Sequence, residues 1–202
     1  MSLSIILIAV TVLVSFLAFN NAELFDKLKF NPYLIKEHKQ WWRFLSHALV
    51  HADFMHLIIN MYVLYSFSSI VEDVFFNSMS YRGLLFFFLL YAGGALFSTL
   101  YDYGKHKSEP YYNAVGASGA VSSVVFSSIL IFPGGSIFLF PIPFPIPSWA
   151  FGILYLVYSA WMGKRGGDNI GHNAHLWGAV YGLIFTIITI PGVISNFIQA
   201  LF

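Results

Sequence analysis

One serine in the chain lies within an unusually bare run of small residues. Ser118 is preceded by Gly116 and Ala117 and followed by Gly119, at the start of an apolar segment that reaches Phe132. A serine in a buried helix that has no chemical role is rarely surrounded by so many residues with small or absent side chains. We expect Ser118 to be a nucleophile inside an apolar bundle, where it needs a base, an oxyanion site and access for water.

A candidate base lies near the other end of the chain. His175 follows Ala174, and Ala174, Gly178 and Gly182 recur at every fourth residue, which gives one helix face a smooth stripe. Such a stripe lets another backbone approach closely, and the small residues around Ser118 offer a matching surface. No acidic third member is evident, so the pattern predicts a Ser118–His175 dyad. The alternative is a structural histidine bonded to a carbonyl group.

His56 and Asn60 are candidates for the oxyanion site. They are four residues apart and therefore share one face of a helix. A neutral imidazole N–H and an amide NH2 are both donors. Together with the backbone N–H of Ser118, in the first turn of its helix, they would stabilise the oxyanion of an acyl-transfer intermediate. The alternative is a hydrogen-bonding pair between helices.

The histidines at this end of the chain also raise the question of a metal. His47, His51 and His56 lie close in sequence to Asp53, and His47 and His51 have the spacing of two ligands on one helical turn. However, the chain has no HExxH motif and no cysteine. We expect no metal and no cofactor, and interpret these histidines as residues that structure the start of the next helix or line a path for water.

The composition indicates where this chemistry takes place. The chain has 202 residues, of which 58% are hydrophobic and 9% charged, with a mean hydropathy of +0.73. A soluble domain carries about 25% charged residues, so a chain of this size cannot bury its apolar surface in water. It is therefore expected to be a polytopic membrane protein. The net charge of +1 does not suggest a nucleic-acid partner.

Six apolar segments are predicted to span the membrane, at about residues 3–19, 54–76, 81–103, 116–132, 148–162 and 173–190. The first lacks a basic leader and a cleavage site, so we expect a retained span rather than a signal peptide. Residues 21–50 mix aromatic and basic side chains and are expected to form short amphipathic pieces in the headgroup layer. Prolines at alternate positions of 141–147 predict an extended connector. Residues 163–168 are predicted to form a flexible polar loop. No repeat or second domain is visible in residues 1–202.

The segment that carries Ser118 is short. About 17 residues give a helix of roughly 25 Å, against a hydrocarbon core of about 30 Å. Ser118 is therefore expected to lie below the membrane surface, in a pocket that admits water.

These residues, taken in order, resemble the motifs of the rhomboid intramembrane serine proteases. The sequence Gly116-Ala117-Ser118-Gly119 matches the Gly-x-Ser-Gly nucleophile motif of that family. Trp42-Arg43, followed by His47, His51, His56 and Asn60, resembles the Trp-Arg loop and the His-x-x-x-Asn element of the family. Ala174-His175 with Gly178 and Gly182 matches its Ala-His-x-x-Gly-x-x-x-Gly motif. Each motif is weak alone, but their order on six predicted spans is specific.

The resemblance implies a fold and an activity. The fold is an all-α, six-helix membrane bundle in which a short central helix carries the nucleophile. The activity is that of a serine endopeptidase that cleaves transmembrane segments of other proteins, with Ser118 as nucleophile, His175 as base, and His56, Asn60 and the Ser118 amide at the oxyanion. It implies the bacterial inner membrane, with the site opening to the extracytoplasmic side. The expected partners are the bilayer and transmembrane substrates, and the oligomeric state is left open.

Two features depart from the family pattern. Some relatives have a tyrosine four residues after the nucleophile, which packs on the catalytic histidine, whereas this chain has Ser122. Either Trp177 or a tyrosine must then support the ring of His175, or the ring is held less firmly. The basic residues also favour the opposite orientation, because nine of the ten lie in connections one, three and five and only Arg82 lies on the other side.

Two other functions are compatible with parts of the sequence. One is a catalytically silent rhomboid-like protein that binds membrane helices, although such a protein is expected to lack the serine or the histidine. The other is a small transporter with a histidine relay, which is expected to contain paired broken helices or an inverted repeat; neither is visible in the sequence.

Overall fold

The computed structural model describes residues 2–138, 143–167 and 170–201. Within these residues the chain is mainly helical. The helices are α1 (Leu3–Phe19), α2 (Ala22–Leu28), α3 (Pro32–His38), α4 (Arg43–Ser46), α5 (Phe54–Met79), α6 (Arg82–His106), α7 (Ser118–Ile131), α8 (Ser148–Arg165), α9 (His172–Thr189) and α10 (Val193–Leu201). A 3-10 turn covers His47–Leu49, and two short strands, β1 (Ser136–Ile137) and β2 (Ile146–Pro147), pair antiparallel.

Helix α7 is the centre of the bundle. Every residue from Gly119 to Leu130 is buried, and α7 packs mainly on α9, α6 and α5. It has 14 residues, so the helix that begins with Ser118 is short, as predicted.

The outer helices turn large apolar side chains outward. On α1 the buried residues are the small ones, Ser4, Thr11, Ser15 and Ala18, whereas Leu13 is 61% exposed. Exposed large apolar side chains also line α5, α6, α8 and α9. This distribution fits a hydrocarbon solvent, in which small residues allow close helix packing and large apolar ones face lipid. The molecule is an all-α membrane bundle.

Length and hydropathy single out some of the predicted spans more strongly than others. Within the described residues, α5 and α6 are each long and apolar enough to cross a membrane. Helices α9 and α10 pass the same test together but are bent by 109° at their junction, and α1 and α7 are apolar but shorter. The count of six spans stays a prediction.

The long first connection folds into short helices. Asn21 caps α2 by accepting a hydrogen bond from the Leu24 N–H, and Asn31 caps α3 in the same way. Arg43, buried to 4% exposure, ties these pieces together. Its guanidinium donates to the carbonyl oxygens of Asp26 and Lys29 at 2.7 Å, which fixes the Trp-Arg loop against α2.

One predicted connection needs correction, and another is described only in part. The predicted loop at residues 163–168 begins too early, because α8 continues to Arg165 and ends at Gly166, where φ is +62°. Residues 168 and 169 lie outside the described part of the chain. The first two residues of the predicted extended connector, 141 and 142, also lie outside it. The part described from residue 143 onward is non-helical and ends in β2, as the prolines predict.

Candidate active site

The turn before Ser118 has a shape that only glycine supplies easily. Gly116 has φ +112°, a value that side-chain-bearing residues rarely adopt. A Cβ on Gly116 would also overlap the imidazole of His56. The chain then enters α7 with Ser118 as its first residue, half-buried. The first-turn position expected for Ser118 is thus what the structure has.

His47 and the first connection hold this turn from one side. The Gly116 N–H donates to the His47 carbonyl oxygen at 3.0 Å, and the His47 Nδ1 lies 3.2 Å from the Gly116 carbonyl oxygen. Two residues earlier, Ala114 pairs with Phe30 through two backbone hydrogen bonds of 2.9 and 3.1 Å. The first connection therefore sets the path of the chain that leads to the nucleophile.

His51 holds the next residue. Its Nε2 accepts the Ala117 N–H at 3.2 Å, so the ring proton lies on Nδ1, which donates to the Ser15 Oγ at 2.9 Å. The Ser15 hydroxyl in turn donates to the Leu49 carbonyl oxygen. Burial, together with a smaller contribution from the neighbouring His56, lowers the pKa of His51 to about 3. The ring is therefore neutral, as an acceptor at Nε2 requires.

Helices α7 and α9 pack in parallel with a regular register. A Cβ on Gly178 would overlap the Gly119 carbonyl, and one on Gly182 would overlap the backbone of Ser123. One turn further, the Thr186 hydroxyl donates to the Ser127 Oγ at 2.7 Å. The partners are 59 residues apart in all three pairs. The register brings together the first turns of the two helices, which carry Ser118 and His175.

The ring of His175 lies against a tyrosine of α8. Tyr155 and His175 are roughly parallel, with an angle of 23° and 6.1 Å between ring centroids. The Tyr155 hydroxyl forms a 2.8 Å hydrogen bond with the Ser122 Oγ. Trp177, the other candidate for this support, is 42% exposed and stacks on Tyr101 instead.

The two predicted oxyanion residues occupy different positions relative to the turn. His56 packs on Gly116, and its ring meets the ring of His51 edge-on with 5.0 Å between the ring centroids. Asn60 is buried one turn deeper, and its amide donates to the His56 carbonyl oxygen at 2.8 Å. An amide NH2 has two protons, and this bond uses one of them.

The histidine-rich connection has the contacts of a scaffold. Both ring nitrogens of His51 bond to protein atoms, and both ring nitrogens of His47 lie within 3.3 Å of backbone carbonyl oxygens. In the part of the chain that the structure describes, no three histidine, cysteine, aspartate or glutamate residues are grouped to hold a metal ion.

A comparison with known protein families decides the relationship of this chain. A rhomboid domain model matches residues 38–192, which is more than half of the chain. The chain belongs to the rhomboid family. The matched range contains the Trp-Arg loop, the turn before Ser118 and the α7–α9 pair.

Individual rhomboids are similar along most of this chain. The rhomboid protein YdcA of Bacillus subtilis is 27% identical over 154 residues, which cover 75% of this chain and 68% of the relative. Rhomboid protein 1 of Saccharomyces cerevisiae mitochondria is 29% identical, and RHOMBOID-like protein 12 of Arabidopsis thaliana mitochondria is 26% identical. The matches cover 70% and 69% of this chain but only 40% and 44% of those two relatives.

Sequence reasoning missed two contacts of this rhomboid's site. The bond from Ala117 to His51 joins residues 66 positions apart, and the pair of Ser122 and Tyr155 joins α7 to α8. The absence of an aromatic residue at position 122 indicated that another ring was needed. It did not indicate which helix would supply it.

Proposed function

We propose that this rhomboid is an intramembrane serine endopeptidase that cleaves transmembrane segments of other membrane proteins. Rhomboids are generally proteases of this type, which supports the class of activity. The observation that carries the proposal for this chain is the α7–α9 register, in which Gly119 and Gly178 bring the helix starts together. Ser118 and His175 are the serine and the histidine that this contact brings to one end of the bundle.

In the proposed mechanism, His175 takes the proton of the Ser118 hydroxyl as the oxygen attacks a backbone carbonyl carbon of the substrate. The tetrahedral oxyanion accepts hydrogen bonds from His56, from the second Asn60 proton and from the Ser118 N–H. The C–N bond then breaks, and the amine leaves with the proton from His175. Water, deprotonated by His175, hydrolyses the acyl-enzyme and regenerates Ser118.

The site requires a substrate that is already in the membrane. Large apolar side chains are exposed on α5 and α8, for example Ile58 and Leu154. A transmembrane segment can approach along such a surface without desolvation, and its scissile carbonyl must be released from helical hydrogen bonding. We place the protein in a bacterial inner membrane with the site opening to the extracytoplasmic side, and assign it no cofactor or metal.

Active-site labelling in proteoliposomes tests the proposal. A fluorophosphonate is expected to label Ser118, and a membrane-tethered reporter is expected to be cleaved. Both signals are expected to fall by at least about 10³-fold in Ser118→Ala and His175→Ala. Ser128→Ala, a buried serine on the same helix, is the matched control and is expected to retain activity.

The two signals also separate the alternatives. Reporter binding without cleavage or labelling in the unaltered protein would favour a helix-binding protein over a protease. Cleavage that persists in both Ser118→Ala and His175→Ala would contradict the proposed dyad.

A further inference from the structure

The support of His175 comes from a helix that carries neither the proposed nucleophile nor the proposed base. Tyr155 belongs to α8, yet its ring lies against His175 of α9 and its hydroxyl is bonded to Ser122 of α7. The same ring also packs against Phe126 of α7 at 5.5 Å. Tyr155 is thus in contact with both helices of the proposed dyad.

We propose that Tyr155, held by Ser122, is the positioning residue that orients the imidazole of His175 in this chain, and that α8 thereby controls the alignment of the base. This inference rests on the proposed function, because it assigns the support of the proposed base. Tyr155 would affect the reaction only through the orientation of His175, because Tyr155 itself need not contact the substrate.

The geometry explains how one side chain can do this. A ring roughly parallel to the imidazole restricts the rotation of His175 about its outer torsion, which is otherwise broad. The ring must itself be fixed, and a tyrosine ring is fixed best when its hydroxyl is bonded at the far end. The 2.8 Å bond to Ser122 supplies that second point of attachment. A serine at position 122 is small enough to leave room for a ring from the neighbouring helix.

Helix α8 buries fewer of its residues than α7 or α9 does. Of its 18 residues only Ser148, Gly152 and Ser159 are buried, in contrast with α7. Gly152 is where α8 approaches α7, and a Cβ there would lie 3.4 Å from Ile129 and 3.5 Å from Phe126. A displacement of α8 by a larger side chain at this position would withdraw Tyr155 from both Ser122 and His175.

Steady-state kinetics on a reconstituted transmembrane substrate test the proposal. Tyr155→Phe and Ser122→Ala are each expected to lower kcat by about tenfold and to change KM by less than about twofold. The double variant is expected to be no worse than either single one, because both remove the same bond. Tyr155→Ala, which removes the ring, is expected to lower kcat by about 10²-fold.

Two further variants test the bond between Tyr155 and Ser122 and the position of α8 separately. Ser122→Thr keeps a hydroxyl and is expected to retain at least about half of kcat. Gly152→Leu is expected to lower kcat as Tyr155→Phe does, although it changes no group that touches His175.

The matched control is Ser127→Ala, which removes another buried hydroxyl bond of α7, to Thr186 at 2.7 Å. It is expected to lower the melting temperature as Ser122→Ala does but to leave kcat within about twofold. Equal losses of kcat in Ser122→Ala and Ser127→Ala would overturn the proposal.

Labelling of the unaltered chain shows whether a failure concerns the proposed function or only the role of Tyr155. If it shows no labelling that depends on Ser118, the proposed function fails and the role of Tyr155 falls with it. If it is labelled normally while Tyr155→Phe and Tyr155→Ala keep full kcat, only the role of Tyr155 is overturned.

Discussion

At the scale of single residues, Gly116 meets two requirements at once. Its backbone has φ +112°, and the imidazole of His56 occupies the space where a Cβ would lie. Gly116→Ala would therefore strain the turn and displace the imidazole of His56 from its place beside the turn. We expect fluorophosphonate labelling of Ser118 to slow by about 10²-fold, since a shift of about 1 Å at a catalytic group has an effect of that size.

The control for Gly116→Ala is Gly104→Ala. Gly104 lies in α6 with open space around its Cα, and alanine stabilises a helix by about 0.5–1 kcal/mol relative to glycine. Labelling is expected to be unchanged and the melting temperature equal or higher. Unchanged labelling in Gly116→Ala would show that the turn does not need this glycine.

His51 gives the protein a pH-dependent stability. Its pKa is about 3 in the folded chain, because of burial, against an ordinary value of 6.5. The unfolded chain therefore binds the extra proton between these values, and the contribution of His51 to stability is complete above about pH 6.5 and declines as the pH falls towards 3. The slope from one such group is at most about 1.4 kcal/mol per pH unit.

Melting temperatures in detergent between pH 7 and pH 4 measure this effect. His51→Gln is expected to reduce the loss of melting temperature on acidification, although its melting temperature at pH 7 is expected to be lower than that of the unaltered chain. His38→Gln, on an exposed side chain of α3, is the control. An equally steep pH dependence in His51→Gln would refute the assignment.

The residue scale also shows what a sequence can and cannot predict about the site. Ser118, His175, His56 and Asn60 could be proposed as candidates because the small residues beside the first two and the four-residue spacing of the last two relate to local helical geometry. The contacts of His51 with Ala117 and of Tyr155 with Ser122 depend on how distant segments pack. Nothing in the local sequence specifies such contacts, so they had to be found in the folded chain.

At the scale of helices, the α7–α9 contact is the tightest constraint. Gly178→Ala would place a Cβ in the backbone of Gly119, which has no side-chain freedom to relieve the overlap. Overpacking of this kind costs about 1–3 kcal/mol, or roughly 2–12 °C in melting temperature at this chain length. Labelling of Ser118 is expected to fall as well, because the two helix starts would separate.

Gly152→Ala provides the comparison for Gly178→Ala. A Cβ at Gly152 would make ordinary contacts at 3.4–3.8 Å with Phe126 and Ile129, so stability and labelling are expected to be nearly unchanged. If the two variants melted at the same temperature, the α7–α9 contact would be more adaptable than its geometry indicates.

The ends of the helices were harder to predict than their centres. Lys164 and Arg165 suggested a loop, yet both lie in the last turn of α8. Cations are favourable near the negative end of a helix dipole, and the Arg165 guanidinium lies 5.0 Å from the centre of the Trp161 ring. Polarity therefore marks the edge of the apolar layer, whereas the helix continues until Gly166 allows the chain to turn.

At the scale of the whole molecule, a membrane protein could be predicted from composition alone, but its orientation could not. The nine basic residues on the proposed active-site side do not all act as free surface charges. Arg43 is buried and donates hydrogen bonds to backbone carbonyl oxygens, and Lys29 forms an ion pair with Asp26 at 2.7 Å. The charge bias that opposes the proposed orientation is therefore weaker than the sequence count indicates.

Because the chain has no cysteine, single introduced cysteines can measure this orientation directly. Tyr111, 93% exposed, precedes the nucleophile turn, and Tyr81, 80% exposed, precedes the opposite end of α6. The 25 residues of α6 separate the two ends by roughly 37 Å. In intact bacterial cells a membrane-impermeant maleimide is expected to label Tyr111→Cys and not Tyr81→Cys, whereas both are labelled after permeabilisation. The reverse pattern in intact cells would place the site on the cytoplasmic side, as the basic residues favour, while leaving the proposed chemistry of Ser118 untouched.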